Sequence, residues 1–389
     1  MAKTVSRTGW GKSIVAARYE LELYSPAGTR LASIEAFSSL SLARRVNQPG
    51  ALTASFPASV INPSLFSVDC QLAIRRRVTP SGPLALVGNT TWLVRRMTRR
   101  YSASGQEIIG VEAVDGLELL ARRVVAYAGD SAYTNKTAAA DDLLKAIMRE
   151  NFGSLATDTS RNLSSYLSIE ANTSAAPSVS SQFEWGNVLQ IAQDIARAAW
   201  EAGTYLAFDV ESAAIPAFQF VTRTGQRGTD HRYPSGAAPV LIGPDYGNLV
   251  DVEITSDYLT DVNHVYAIGQ GEGQLTTTAI ATDAARIAAS FFNRRELAAN
   301  STGTDGTPGA LADAANAALR AGLPGWNVRG RLIDTPGSLF GLDYDYGDYL
   351  TVQVRSARFD CRLMAFGIRL GETGEERIDA VLESEEGPP

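Results

Sequence analysis

The order of apolar and polar positions changes character twice along the chain. Through most of the first third it alternates with the period of two that marks strands with one buried face. Tyr19-Glu20-Leu21-Glu22-Leu23-Tyr24 is the clearest case, and Ser25-Pro26-Ala27-Gly28-Thr29 supplies a turn before Arg30-Leu31-Ala32-Ser33-Ile34. Leu40, Leu42 and Val46 lead to a second turn, Asn47-Gln48-Pro49-Gly50, and then to Ala51-Leu52-Thr53-Ala54-Ser55-Phe56. Residues 69–78, 91–101 and 106–114 read as further strands. Short strands at this turn spacing predict a barrel or sandwich rather than a parallel sheet.

After Tyr127-Ala128-Gly129-Asp130 the period becomes helical. Leu143, Leu144, Ile147 and Met148 predict a helix over 137–151 with Gly153 as its stop, and Val188, Ile191, Ala192, Ile195 and Ala199 predict another over 186–202, capped by Gly203. Residues 154–182 read as irregular, with a strand at 166–170. Strands follow at 204–210 and 217–222, then the polar loop 223–239, which is too long for a simple turn and is expected to be mobile or an interface element. The second change returns the chain to strands at 249–255 and 263–269. After the glycine-rich 301–309, an Ala-rich helix over 310–321 is closed by Gly322 and Pro324. Strands at 326–333, 349–354, 358–370 and 376–382 complete the chain, and the acidic tail 383–389 is expected to fray.

Composition narrows the class. Compact units usually run to about 100–200 residues, so 389 residues predict two to four of them, and 45% hydrophobic content is enough to build real cores. No run is long and apolar enough to span a bilayer, which takes roughly 20 residues. Gly9, Trp10, Gly11 and Lys12 interrupt any apolar run behind the N-terminus, so neither a secretory leader nor membrane insertion is expected. The net charge of −7 is unevenly spread: residues 1–130 hold 16 Lys/Arg and 9 Asp/Glu, which leaves 19 and 33 for the remainder. Such asymmetry points to an oriented assembly or a charged partner.

Candidate chemistry is sparse. Cys70 and Cys361 lie in no CxxC or Cys/His cluster and read as small buried residues. The only histidines, His231 and His264, read as a loop contact and a strand-face residue. Gly269-Gln270-Gly271-Glu272-Gly273 has neither GxGxxG spacing nor a following helix, so a hairpin is expected there rather than a phosphate loop. Asp343, Asp345 and Asp348 lack the spacing of a calcium loop and read as surface turn chemistry, with Gly347 taking a conformation that other residues avoid. The arginine clusters at 75–77, 95–96, 99–100 and 122–123 read as exterior charge paired with the downstream carboxylates, or else as contacts to acidic partners or nucleic acid. No catalytic, cofactor-binding or metal-ligating residue is assigned, and no enzymatic activity is expected.

Several segments, taken in order, resemble one family. They are Leu21-Glu22-Leu23-Tyr24 with Gly28-Thr29-Arg30 and Asn47-Gln48-Pro49-Gly50, Trp92-Leu93-Val94-Arg95-Arg96, and Leu119-Leu120-Ala121-Arg122-Arg123-Val124-Val125-Ala126-Tyr127. Gly247-Asn248-Leu249, Val262-Asn263-His264-Val265-Tyr266-Ala267-Ile268-Gly269, Arg294-Arg295-Glu296 and Tyr344-Asp345-Tyr346-Gly347-Asp348-Tyr349-Leu350-Thr351-Val352 continue the series. The chain thereby resembles the siphophage tail hub, or tail-associated, proteins, which are related in fold to the myophage central baseplate hub. The resemblance implies a β-rich α+β fold: two β-barrel tube-type domains, 1–130 and 245–389, an intervening α/β region, 131–244, and the helix 310–321 inserted in the second barrel. It implies a homotrimeric virion ring at the distal end of the tail. The partners would be the distal tail protein, tail tube, tape measure protein and tip or fibre proteins, with DNA only as passing cargo during ejection. Many relatives continue into a hydrolase or fibre domain, so lytic or receptor-binding activity is expected from another protein. A carbohydrate-binding or wall-degrading tail component is the alternative, and a gene-transfer particle or injection device is a further vehicle for the same fold.

Overall fold

Each alternating segment of the first third becomes a strand in the computed structural model, which describes residues 17–34, 36–103, 105–126, 134–271, 276–300, 308–371 and 374–384. These strands are Arg18–Tyr24 (β1), Arg30–Ile34 (β2), Ser39–Arg45 (β3), Gln48–Pro57 (β4), Gln71–Arg77 (β5), Ala85–Leu86 (β6), Trp92–Tyr101 (β7) and Glu107–Val114 (β8). The middle contains Glu118–Ala121 (α1), Thr134–Ala139 (β9), Ala140–Asn151 (α2), Leu167–Ile169 (β10), Ser178–Phe183 (β11), Val188–Glu201 (α3), Leu206–Ala214 (β12) and Ala217–Thr224 (β13). The remainder is Asp230–His231 (β14), Leu241–Ile242 (β15), Leu249–Asp257 (β16), His264–Ile268 (β17), Thr278–Thr282 (β18), Ala284–Ala288 (α4), Glu296–Asn300 (β19) and Pro308–Ala321 (α5). Gly325–Leu332 (β20), Tyr349–Val354 (β21), Ala357–Leu370 (β22) and Glu376–Glu383 (β23) follow.

The fold is β-rich, and its two ends share one sheet. Hydrogen bonding runs in the order β16-β20-β23-β22-β3-β4-β8-β7-β5-β1-β2, with β6, β14, β15 and β21 attached beside this path. The joint is the antiparallel pairing of β22 with β3, from Ala365 opposite Arg45 to Leu370 opposite Leu40. Two closed barrels were expected; among the described residues the path is open, ending at β2 and β16. The reason is that β22, with 14 residues, is long enough to pair on both edges, with β23 on one side and β3 on the other. Both groups of strands then bury their apolar face in one core, where Leu21, Leu42, Phe56 and Trp92 meet Leu350, Cys361, Ile368 and Leu382.

A second core packs α2 and α3 against β12 and β13 through Leu144, Ile147, Ile195, Phe208 and Phe220. Here α3 begins at its Asn187 cap, whose side-chain oxygen accepts from the Leu189 and Gln190 amides, and Gly203 at φ +90° follows its end. The first helix starts later than its periodicity suggests because Thr134–Ala139 is drawn into a ladder with Ser178–Phe183, two strands hidden by their Ser/Thr-rich composition. A further small sheet, β18-β17-β19, carries α5 on one side through Val265, Ala267 and Ala315. The expected hairpin after β17 is present, although residues 272–275 lie outside the described residues, as do 1–16, 127–133, 301–307 and the tail 385–389.

Candidate functional site

Burial of charge, rather than a cleft of reactive groups, distinguishes this molecule. Arg44 on β3 is wholly buried, which is tolerable because its charge is paired and each guanidinium nitrogen donates to an acceptor. Its Nε donates to Asp115 Oδ2 at 2.8 Å, Nη2 to Asp209 Oδ1 at 2.6 Å, and Nη1 to the Gly88 carbonyl. Asp209, on β12, is shared: its Oδ2 accepts from Arg227 Nη2 at 2.7 Å. Arg227 also donates to the Tyr346 carbonyl at 2.6 Å and lies 3.8 Å over the Tyr346 ring, while Arg44 stands 5.4 Å from the same ring. The node thus ties the first third, the middle and the C-terminal third together.

The shared carboxylate behaves differently from the unshared one. Burial pushes the Asp209 pKa up, but the Arg44 and Arg227 guanidiniums outweigh it and hold Asp209 below the usual carboxylate range. For Asp115, burial and repulsion from Asp209 win over the single guanidinium of Arg44, and its pKa is raised. A second buried arginine, Arg76, donates Nε to Glu376 Oε1 at 2.8 Å and bonds Asp334 and the Phe340 carbonyl, while the Tyr19 hydroxyl donates to Glu376.

Tyr344–Tyr349 is not a surface turn. Tyr344, Tyr346 and Asp348 are buried. Asp348 Oδ1 accepts from the Thr229 amide at 2.6 Å and Oδ2 from the Asp345 amide at 2.6 Å, and burial raises the pKa of both aspartates. Gly347 has φ +91°, and a Cβ there would come within 2.7 Å of Arg227 Cδ. The aspartates are interior because the polar loop 223–239 folds over them. β14 and β15 lie parallel to β21, Tyr349 donates its amide to the Thr229 carbonyl, and the Tyr233 amide donates to Thr351 Oγ1. That loop is an interface within the chain itself. His231 sits in it, with Nε2 3.6 Å from Asp348 Oδ2. His264 is buried on β17 with Nδ1 2.8 Å from Thr282 Oγ1, and the two cysteines are buried and free.

Five of the nine clustered arginines pair with near neighbours instead of the downstream carboxylates. Arg75 meets Glu22, Arg95 and Arg122 meet Asp69, Arg96 meets Glu112, and Arg99 meets Glu107. Among the described residues Arg76 alone of the nine reaches downstream carboxylates, and it does so in the interior, while Arg123 donates to the Asn151 and Arg161 carbonyls. Strand register made the local pairs: Arg96 lies opposite Glu112 across the β7–β8 ladder.

On β3 and β4 the solvent face of the large sheet carries small side chains, set between Arg369 on β22 and the Glu112–Arg96 pair on β8 and β7. Across β3 and β4, Ser39 lies opposite Ser55, Ser41 opposite Thr53, and Ala43 opposite Ala51. The row continues through Gly367 opposite Ala43 and Arg369 opposite Ser41. A separate groove of about 710 Å³ between α3, α5 and β20 is lined by Trp200, Tyr205, Trp326 and Arg197.

The family model described as Siphovirus ReqiPepy6 Gp37-like protein matches residues 20–382. No curated protein matches significantly. The fold is similar to that of a tail protein from Neisseria meningitidis MC58 (TM-score 0.60, 12% identity, 94% of this chain and 96% of that one). It is also similar to the 43 kDa tail protein of prophage MuSo2 from Shewanella oneidensis (TM-score 0.58, 11% identity, 94% and 99%). A chain of the lidless PdpA–VgrG complex, known also from Francisella in lidded forms, matches at TM-score 0.57 and 8% identity over 98% of this chain and 67% of that one.

Proposed function

Because the chain belongs to the Siphovirus ReqiPepy6 Gp37-like family and is thus a phage tail protein, we propose that it is the ring-forming hub at the distal end of the tail. Three copies surround a passage that continues the tail tube, contacting the distal tail protein, tube and tape measure protein on one side and tip or fibre proteins on the other. The observation that carries this reading is the shared sheet, in which strands from both ends of the chain offer one continuous wall. The wall's outer face of Ser39, Ser41, Ala43, Ala51, Thr53 and Ser55 turns toward the passage. Short neutral side chains leave room for DNA and give its phosphates few fixed cations, since Arg369 and Arg377 are engaged by Asp379.

The proposed role is structural and not catalytic. The buried carboxylates Asp115 and Asp209 are occupied by guanidiniums and act as joints. Sedimentation of the purified chain tests the assembly: the expected species is a trimer that forms with concentration or with the distal tail protein, and a monomer under both conditions would contradict it. The groove with Trp200, Tyr205 and Trp326 supports a second reading, carbohydrate binding, because aromatic faces beside polar groups suit sugars. Binding of host polysaccharide abolished by Trp200→Ala would favour that reading.

A further inference from the structure

The small sheet carries an exposed apolar tip. Phe291 and Phe292 are 104% and 94% exposed and Leu259 81%, with Tyr258 beside them. The tip is built, not loose. Arg295 donates from Nη1 to the Tyr258 carbonyl at 2.9 Å, joining the loop after β16 to the loop before β19. Asn263 donates to the Asn293 carbonyl, Asn293 Nδ2 to the Arg286 carbonyl at 2.7 Å, and Arg286 is held by Asp261 and Asp283. Four large apolar side chains held in water by such a scaffold mark a contact surface.

Elsewhere the chain has a hollow of complementary character. A pocket of about 380 Å³ is lined by Leu93, Leu119, Phe152, Leu163, Tyr166 and Phe218, together with Arg123 and the paired Arg122 and Asp69. An apolar cavity of roughly 150 Å³ accepts one benzene ring, so this pocket has room for both phenyl groups. We propose that the Phe291–Phe292 tip of one copy seats in this pocket of the next copy. The inference rests on the ring reading above and names its contact. A tip and a pocket on different parts of one chain make a heterologous contact, the kind that gives a ring when its rotation closes. Charge favours the same partner: residues 1–130, which supply Leu93, Leu119, Arg122 and Arg123 to the pocket, hold 16 basic and 9 acidic residues. Residues 245–389, which carry the tip, hold 11 and 22. A lipid surface fits less well, because Asp257, Asp261, Asp283 and Glu296 outnumber Arg286, Arg294 and Arg295 around the tip.

The test places a benzophenone amino acid at Phe292 in the full chain and mixes isotopically heavy and light copies before irradiation. Crosslinks between heavy and light copies at Leu119, Leu163 or Tyr166 are expected. The Phe291→Ser/Phe292→Ser variant, altered only at exposed positions, is expected to keep its circular dichroism and melting point while self-association weakens about 30-fold or more. Trimers that form normally in this variant, or crosslinks mapping to another surface, would overturn the tip contact and leave the ring reading standing. A wild-type chain that stays monomeric and yields no crosslinks between copies would overturn both. Co-sedimentation of the wild type, but not the variant, with phosphatidylglycerol–phosphatidylcholine vesicles, with self-association equal in the two, would overturn the contact in favour of a membrane.

Discussion

Replacing Arg44 by Met preserves much of its volume and removes its charge, leaving Asp115 and Asp209 facing each other in the interior. Both carboxylates of the joint lose a partner: Asp115 its 2.8 Å bond from Nε and Asp209 its 2.6 Å bond from Nη2. Arg227 still covers Asp209, so the orphaned group is chiefly Asp115, which has no other cation among the described residues. Breaking a buried pair from one side costs about 3–5 kcal/mol. Unfolding entropy near 2.1 cal/mol/K per residue gives about 0.8 kcal/mol/K over 389 residues, so the melting midpoint should fall by about 4–6 °C. Adding Asp115→Asn to Arg44→Met removes the orphaned charge and should restore at least about 1 kcal/mol. Calorimetry or denaturant titration reads both values. A single variant losing under about 1 kcal/mol, or a double variant no better than the single, would refute the view that the node is a structural joint.

Asp348→Ala strands the Thr229 and Asp345 amides, at about 1–3 kcal/mol for each buried donor. Trypsin should then cut at Arg227 or Arg232 much faster than in the wild type, and equal protection would contradict the pinned loop. Gly347→Ala forces a Cβ into a left-handed position against Arg227 and should cost about 1–2 kcal/mol or more by thermal melting. Acid should loosen the node through Asp209: its folded pKa is depressed, so its contribution is fully present above the unfolded value near 3.9 and is lost as pH falls through the folded value. Asp209→Asn should therefore flatten the acid limb of the stability–pH curve below about pH 4, and an unchanged limb would contradict the assignment.

Local signals in the sequence reached as far as local physics does. Period-two alternation placed β1 and β8, and helical spacing with Gly203 placed α3, because one face of each buries in a single core. The pairing of β22 with β3 was invisible, since residues some 320 positions apart in the chain leave no periodic trace of their contact. The same gap explains Tyr344–Tyr349. Asp345, Asp348 and Gly347 read as a solvated turn until the loop 223–239 is laid over them, and that loop's own polarity argued against burial. Arg44 gave no sign at all: it sits beside Arg45 in an ordinary-looking strand, and its distinction arises from Asp115 and Asp209 arriving from β8's end and β12. Register rewarded Arg96 and Arg99 with local partners, which the chain-wide charge imbalance had suggested would come from further away.

A ring at the end of the tail is tested most directly by reconstruction of the intact particle by electron cryomicroscopy. Three copies are expected around the tail axis, coaxial with the tube, with the Ser39–Ser55 face of the shared sheet lining the passage. A single off-axis copy, or a ring whose passage is lined by other surfaces, would contradict it.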